Sequence, residues 1–187
     1  IRSFVKKSEP NRTLADVLRS VRGTAITTDR TYQYLGVRGF LASGDYNTRV
    51  LLLVDGRRAN DALYDQAMLG NEFGVDLDMV ERVEFIPGQG SAVYGGNALF
   101  GVVNVITRES PRTRQATLHA SAGSAGLREA RARLDWPWAG GGLQLQLSQL
   151  RRDGDDLFDP LQAASGVNDG WTHGTDHTRR RALWVRA

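Results

Sequence analysis

The first clear hydrophobic pattern along the chain is helical. Four apolar residues follow the i, i+3, i+4, i+7 spacing that places side chains on one helix face: Leu14, Val17, Leu18 and Val21. Thr13 is a suitable N-cap, Asp16 follows three residues later as a weak capping box, and Gly23 is a stop signal. We therefore predict a short helix between Thr13 and Gly23.

Strand patterns follow the helix in the first half of the chain. Four segments are predicted as strands: residues 32–40, 49–54, 80–86 and 102–107. Residues 80–86 alternate, which places Val80 and Arg82 on the same face of a half-buried strand. Residues 61–79 show no strong hydrophobic period, so we predict a loop and a short helix there. The irregular mixture predicts an α+β domain over residues 1–109, with a small mixed β-sheet, short helices and long loops.

After Pro111 the pattern changes to strict alternation of apolar and polar side chains. Four runs show it: residues 117–122, 130–136, 143–148 and the residues from Thr178 onward. A long polar loop over residues 153–176 interrupts them, and Trp136 and Trp138 close one run. This arrangement is typical of the start of a transmembrane β-barrel, of which residues 110–187 would supply about four strands. A soluble antiparallel sheet with one wet face has the same period, so this half alone leaves both interpretations open.

Composition narrows the possible functions without choosing one. The 187 residues are 41% hydrophobic and 24% charged, which suits a folded core, and no cysteine is present for a disulfide or thiolate site. No run of about 18 apolar residues predicts a transmembrane helix, and residues 1–7 lack the apolar segment of a signal peptide. Residues 1–109 carry 13 Lys and Arg against 13 Asp and Glu, so the net charge of +3 comes from residues 110–187. This distribution does not favour nucleic-acid binding.

Two alternative functions, nucleotide binding and enzymatic catalysis, have only weak support in the sequence. The glycine-rich stretch 88–101 lacks the Gly-Lys-Ser/Thr of a phosphate loop and the third glycine of a dinucleotide loop, so nucleotide binding is not predicted. An enzymatic interpretation depends on His119, His173, Asp176 and His177, of which the last three lie in a polar loop. Surface histidines explain this pattern better. We therefore predict no catalytic residue, no metal site and no cofactor.

The order and spacing of five motifs decide between the interpretations. They are VRGF at 37–40, LVDG at 53–56, VERVE at 80–84, SAVYG at 91–95 and GVVNVIT at 101–107. Together they resemble the plug domain of TonB-dependent outer-membrane receptors, and the resemblance covers residues 13–108 almost without a break. It implies a plug that lies in the lumen of a large β-barrel in the Gram-negative outer membrane and gates transport, without enzymatic activity.

The resemblance also implies two sets of site residues. Loops at 31–34, 44–48 and 63–69 would face the ligand through Tyr32, Tyr34, Asp45, Tyr46, Asn47, Tyr64, Asp65 and Gln66. The second set would hold the plug in the barrel or maintain the fold of the plug, and we call it the latch and structural set: Arg38, Gly39, Asp55, Gly56, Glu84, Gly88, Tyr94 and Gly95. In the family, an arginine at the position of Arg38 pairs with carboxylates of the barrel wall. This chain has Pro87-Gly88-Gln89 where many members have Arg-Gly-Pro, so the second latch arginine is missing. A solvated edge position is the alternative for both Arg38 and Glu84.

The same resemblance implies the partners. The energy-coupling protein TonB captures a short extended segment, the TonB box, by strand addition. That segment is not found in this chain, and the opening strand of the plug is also expected to be absent. Outer-membrane lipid and the remainder of the barrel, which four strands cannot close, are further expected partners.

The expected cargo is a scarce ligand, with a ferric siderophore favoured because such family members are numerous. Haem, cobalamin, nickel chelates and oligosaccharides are the alternatives that the sequence leaves open. A soluble β-rich binding module without a transport role remains the alternative function.

Overall fold

The computed structural model describes residues 3–6, 13–40, 44–109, 111–166 and 168–187. The chain divides into two units, Ile1–Glu109 and Ser110–Ala187. Unit 1 combines short helices with a mixed sheet, and unit 2 is mainly one antiparallel sheet. None of the helices in the described ranges is long and apolar enough to cross a membrane.

The described part of unit 1 contains seven strands. They are β1 (Ser3–Lys6), β2 (Thr24–Thr28), β3 (Gln33–Val37), β4 (Val50–Val54), β5 (Arg57–Arg58), β6 (Val80–Pro87) and β7 (Gly101–Thr107). Five of them form one sheet in the order β1-β6-β7-β4-β5, and β2 pairs with β3 in a separate hairpin. Strands β4 and β7 are parallel, whereas the other neighbours in the sheet are antiparallel. The small mixed sheet is therefore confirmed.

Helix α1 (Leu14–Arg19) confirms the helical prediction. The Thr13 hydroxyl accepts a hydrogen bond from the Asp16 backbone N–H (3.2 Å), and the Asp16 carboxylate accepts one from the Thr13 N–H (3.1 Å), which completes the capping box. The apolar face of α1 packs into the main core cluster with side chains of β3, β4, β6 and β7. A 3-10 helix (Leu77–Met79) precedes β6, and the four-residue helix α2 (Ser91–Tyr94) lies within the glycine-rich connection.

Three expectations about the strands of unit 1 are corrected. Strand β1 precedes α1 and pairs with β6, so the expected absence of an opening strand is wrong. The strand predicted over residues 32–40 ends at Val37, because Arg38 and Gly39 both have positive φ (53° and 84°) in a tight turn. Strand β2 has no counterpart among the predicted strands, because its short, threonine-rich sequence is largely exposed and lacks an apolar face.

A β-bulge between Val80 and Arg82 also changes the predicted faces of β6. Val80 joins Val83 and Phe85 in the main core cluster instead of sharing a face with Arg82. The bulge therefore adds one more apolar side chain to the core.

Unit 2 is built from four long strands that run up and down in chain order. Its strands are β8 (Gln115–Ala122), β9 (Arg128–Trp138), β10 (Gly141–Arg152), β11 (Leu157–Phe158), β12 (Trp171–Thr172) and β13 (Thr178–Arg186). The four long strands form one sheet in the order β13-β10-β9-β8. The short pair β11 and β12, with helix α3 (Pro160–Ser165) between them, lies within the segment predicted as a long polar loop.

The two faces of this sheet show the reverse of the burial found in a soluble protein. Gln144 and Gln146 are each only 1% exposed, whereas Leu118 is 85% and Leu183 is 63% exposed. A soluble sheet buries its apolar face, but the strands of a membrane barrel carry apolar side chains outward and polar ones inward. Unit 2 is therefore the opening part of a transmembrane β-barrel, and the four strands do not close it.

Candidate ligand-binding surface and polar contacts of the mixed sheet

Three tyrosines and one aspartate gather at the tip of the β2-β3 hairpin. The rings of Tyr32 and Tyr46 meet edge to face with their centroids 5.1 Å apart, and Tyr34 lies 5.9 Å from Tyr46. Tyr34 is buried, while Tyr32 and Tyr46 each keep more than a third of their surface exposed. Edge-to-face pairs of this kind fix the ring orientations. The cluster therefore exposes the rings of Tyr32 and Tyr46 to solvent, and the buried Tyr34 ring lies beneath them.

Asp29 organises this hairpin tip. Its carboxylate accepts hydrogen bonds from the Tyr34 hydroxyl (2.5 Å) and from the backbone N–H groups of Tyr32 (2.6 Å) and Thr31 (3.0 Å). The Tyr34 hydroxyl, followed by these N–H groups, lowers the pKa of Asp29, because each donor favours the charged carboxylate. The same bond to Asp29 raises the pKa of Tyr34. Asp29 carries this geometry although it is absent from the predicted site residues.

Asn47 joins the hairpin to two neighbouring segments. Its side-chain amide donates to the carbonyl oxygens of Gln33 (2.8 Å) and Ala67 (3.1 Å), and its Oδ1 accepts from the Leu35 N–H (2.8 Å). The Asn47 backbone N–H donates in turn to Asp45 (2.9 Å). Asn47 is buried, so its side chain holds the loop in place and does not face outward. Asp45 supports it from the partly exposed side.

The loop at residues 60–66 is held by its own polar groups. The Asn60 amide donates to the Asp65 carbonyl oxygen (2.9 Å), and the Asp61 carboxylate accepts from the Tyr64 N–H (2.7 Å). The Asp65 carboxylate pairs with Arg58 (2.5 Å), which also donates to Asn97. Asp65 is therefore engaged in an ion pair, whereas the Tyr64 ring extends into solvent.

The three predicted loops meet in one shallow depression. Tyr32 comes from the first loop, Tyr46 from the second and Gln66 from the third, and Glu72 completes the rim. We call these four residues the apex surface. Glu72 is absent from the predicted set, because nothing in the pattern of residues 61–79 marks it. The structure thus places side chains of three distant segments side by side, and contact with a ligand remains a prediction.

The predicted latch residues Arg38 and Gly39 form the turn after β3. The Arg38 N–H donates to the Gly23 carbonyl oxygen (2.8 Å), and the Arg38 side chain is exposed. No acid in the described residues forms an ion pair with it. A side-chain carbon at Gly88 would lie 3.8 Å from the Arg38 guanidinium, so the turn approaches the start of the glycine-rich connection. Pairing of Arg38 with a carboxylate outside this chain remains a prediction.

The remaining latch residues are polar contacts within the mixed sheet. The Asp55 carboxylate accepts hydrogen bonds from the backbone N–H (2.8 Å) and the hydroxyl (2.6 Å) of Thr107, which fastens the β4-β5 turn to the end of β7. Asn104 of β7 donates to Glu84 of β6 (3.2 Å) and accepts from the Gly56 N–H (3.1 Å). The two Asn104 contacts join β6, β7 and the β4-β5 turn on one face of the sheet.

Glu84 and Tyr94 line a cavity of about 410 Å³ on that face. Arg82 donates to the buried Glu84 carboxylate (3.1 Å), so Glu84 is not a solvated edge residue. Tyr94, at the end of α2, is 39% exposed, and Gly95 follows it with a φ of 80°. Four apolar side chains of β4, β6 and β7 line the cavity, together with Val93 of α2 and the polar side chains of Arg58 and Asn104: Leu51, Leu53, Ile86 and Val102.

The histidines of the enzymatic alternative do not converge. His119 lies on β8, His173 pairs with Asp156 (3.0 Å), and His177 contacts the Gly174 carbonyl oxygen (3.1 Å). Among the residues that the structure describes, no group of three or more His, Asp or Glu side chains is arranged to hold a metal ion.

A mixed-sheet domain with converging loops, followed by the opening strands of a β-barrel, defines a plug-and-barrel protein. The profile of the family described as TonB-dependent Receptor Plug Domain matches residues 2–102, which is more than half of the chain. The chain belongs to this family.

Similar proteins support the same class. The chain is 35% identical over 166 residues to the vitamin B12 transporter BtuB of Vibrio vulnificus, covering 86% of this chain and 25% of that protein. Among solved structures, the ferric yersiniabactin uptake receptor FyuA from Yersinia pestis has a TM-score of 0.69 at 21% identity, over 99% of this chain and 28% of that one. The siderophore receptor PiuA from Acinetobacter baumannii has a TM-score of 0.62 at 18% identity, over 82% and 21%. The chain spans about a quarter of the length of the curated relatives it matches.

Proposed function

We propose that this chain is the plug and the first barrel strands of an outer-membrane transporter that takes up a metal chelate by a TonB-dependent mechanism. The observation that carries the proposal is the combination of the plug family with a barrel sheet whose apolar face is exposed. A soluble binding module would bury Leu118 and Leu183 instead of exposing them. The plug carries out no covalent chemistry in this account. It blocks the lumen, contributes to ligand binding and rearranges when TonB acts on it.

We propose cobalamin as the chelate. Support comes from the similarity to vitamin B12 transporters, which extends over 86% of this chain. The likeness to siderophore receptors is below 25% identity and concerns the fold alone.

The chemistry of the apex surface is compatible with the same ligand. Its lining combines tyrosines and amides with Ala67, Met68 and Glu72. Cobalamin has a ring system fringed with amides, which tyrosine rings and the Gln66 amide can contact.

We also propose that Arg38 keeps a latch role. It is exposed and has no acidic partner among the described residues, so it is available to a carboxylate of the complete barrel wall. Because the chain has Pro87-Gly88-Gln89 in place of the second latch arginine, Arg38 would act without that arginine and with other partners.

Binding to the purified full-length receptor tests the ligand assignment. Intrinsic fluorescence titrations with cyanocobalamin and with a ferric catecholate siderophore would be compared for the unaltered receptor, Tyr32→Ala and Leu99→Ala. Leu99 is the control, because it is 43% exposed against 37% for Tyr32 and belongs to neither predicted set of site residues. We expect cyanocobalamin to bind, Tyr32→Ala to weaken its binding by about tenfold, and Leu99→Ala to leave its binding unchanged. Binding of the siderophore but not of cyanocobalamin would contradict the assignment.

A further inference from the structure

One asparagine of the glycine-rich connection is hydrogen-bonded to two of the three loops that form the apex surface. The Asn97 side-chain amide donates to the Thr48 carbonyl oxygen (2.6 Å) and to the Asp65 carbonyl oxygen (3.3 Å). Thr48 ends the loop at 44–48, and Asp65 belongs to the loop at 63–69. Asn97 thus joins two segments that lie 49 and 32 residues away from it along the chain.

Arg58 fixes the orientation of the Asn97 side chain. The Arg58 guanidinium donates hydrogen bonds to the Asn97 Oδ1 (2.6 Å) and to the Asp65 carboxylate (2.5 Å). Because a guanidinium only donates hydrogen bonds, the oxygen of the Asn97 amide faces Arg58 and its NH2 group faces the two carbonyl oxygens. Arg58, Asp65 and Asn97 therefore form a closed triangle of polar contacts, which we call the Asn97 clamp.

The backbone at Asn97 suits this role. Its φ of 68° lies in the left-handed region, which asparagine tolerates better than most residues other than glycine. The next residue, Ala98, is buried, and its carbonyl oxygen accepts a hydrogen bond from the Gly90 N–H (2.8 Å). Residues 91–96, which precede Asn97, are exposed. Asn97 therefore stands where the connection returns from the surface to the core, so its side chain has a firm base.

The two carbonyl groups in the clamp lie next to side chains of the apex surface in the sequence. Asp65 directly precedes Gln66, and Thr48 follows Tyr46 by two residues. Gln66 and Tyr46 line the depression, whereas Asn97 is not one of the described residues that line it. Asn97 can therefore act on a bound ligand only through the positions of these neighbours.

We propose that Asn97 is a positioning residue for ligand binding at the apex surface. It holds the second and third loops at a fixed separation, so the Tyr46 ring and the Gln66 amide are arranged before a ligand arrives. Preorganised groups bind more tightly, because the conformational entropy of ordering them is not lost during binding. The proposal rests on the proposed ligand-binding function, and it gives the glycine-rich connection a part in that function.

The test uses the full-length receptor and two substitutions that tolerate the positive φ of Asn97. Asn97→Gly removes all the side-chain contacts, whereas Asn97→Asp keeps an acceptor for Arg58 and loses both donors. The matched control is Thr24→Val, because the Thr24 hydroxyl also donates to two carbonyl oxygens of unit 1, those of Leu18 (2.6 Å) and Val21 (2.8 Å). Thr24 lies at the opposite end of the β2-β3 hairpin from its tip.

Cyanocobalamin titrations followed by intrinsic fluorescence give the first readout. We expect Asn97→Gly and Asn97→Asp each to weaken binding by about tenfold, and Thr24→Val to leave binding unchanged. Combining Asn97→Gly with Gln66→Ala should weaken binding by less than the product of the two single effects, because the position of Gln66 is already lost. Equal weakening by Asn97→Gly and Thr24→Val, or fully multiplicative effects in the double variant, would overturn the proposal.

Hydrogen exchange of the ligand-free receptor gives a second readout, which does not depend on the identity of the ligand. The backbone N–H groups of Thr48 and Asp65 donate to the carbonyl oxygens of Asp45 (3.1 Å) and Asp61 (2.9 Å) within their own loops. Both should exchange about tenfold faster in Asn97→Gly and at an unchanged rate in the control. Unchanged exchange in Asn97→Gly would overturn the proposal. Faster exchange in a receptor that binds no cyanocobalamin would support the clamp and contradict the proposed ligand.

Discussion

The hydroxyl of Tyr34 donates a 2.5 Å hydrogen bond to the carboxylate of Asp29 and fixes the tip of the β2-β3 hairpin. The bond lowers the pKa of Asp29, so its contribution to stability is present above the unfolded value of about 4 and is lost as the pH falls through the lowered pKa. It raises the pKa of Tyr34, so that contribution is present below about pH 10 and is lost as the pH rises through the raised value.

We therefore predict that Tyr34→Phe lowers the local stability of the hairpin between about pH 4 and pH 10, by roughly 1 kcal/mol. Hydrogen exchange of the backbone amides in residues 24–37 of the full-length receptor, corrected for intrinsic rates, measures this difference. The exposed Tyr64→Phe serves as the control and should change nothing. A loss that does not change as Asp29 takes up its proton at acidic pH would show that the carboxylate is not involved.

A second prediction concerns Asn47. Asn47→Ala leaves one N–H and two carbonyl groups without their partner, so we expect a loss of roughly 3 kcal/mol in stability. Chemical denaturation of unit 1 within the receptor, followed by exchange of the Leu35 amide, measures it. The exposed Asn71→Ala of unit 1, which removes no side-chain hydrogen bond among the described residues, is the control and should cost less than about 0.5 kcal/mol. Similar values for both variants would refute the bridging role.

A third prediction concerns the start of β7. A side-chain carbon at Gly101 would lie 3.0 Å from the Ile86 carbonyl oxygen and 3.0 Å from the Phe85 ring, so Gly101→Ala should destabilise unit 1 by about 2 kcal/mol. Gly96→Ala, where no atom lies within 4 Å, is the matched control. Thermal unfolding of the two variants gives the comparison, and equal melting temperatures would disprove the close approach.

A fourth prediction concerns the ion pair between Arg133 and Asp135 on the polar face of β9. Asp135→Asn leaves a largely buried guanidinium without its carboxylate, and we expect about 3 kcal/mol of destabilisation. Adding Arg133→Gln to it should recover part of the loss, because no unpaired charge then remains. A double-mutant cycle from unfolding in urea and lipid vesicles measures the coupling. Additive losses would mean that the two side chains act independently.

The sequence pattern predicts those helices and strands whose apolar residues recur with the period of the element itself. Helix α1 and the strands β4, β7, β9 and β10 are such elements, because their apolar spacing directly reflects one buried or lipid-facing side. The strand over residues 32–40 is too long in the prediction, because apolar content cannot reveal that Arg38 adopts positive φ. Strand β2 is missing from the prediction for the opposite reason, since its backbone pairing with β3 needs no apolar face.

The sequence pattern also predicts only part of the candidate site. The family motifs locate the three loops, and the exposed rings of Tyr32 and Tyr46 follow from them. The pattern does not distinguish Asn47, which supports the loops from within, from an outward-facing amide. Asp29 and Glu72 join the site through contacts between segments, which a single sequence does not display.

Transport of cobalt-labelled cyanocobalamin is the most direct measurement of the proposed function. The full-length receptor would be produced in Gram-negative cells that lack their own vitamin B12 receptor, with and without a functional TonB. We predict uptake that requires TonB and that falls by about tenfold at low ligand concentration in Tyr32→Ala but not in Leu99→Ala. Absence of cyanocobalamin uptake, or uptake that persists without TonB, would contradict the account.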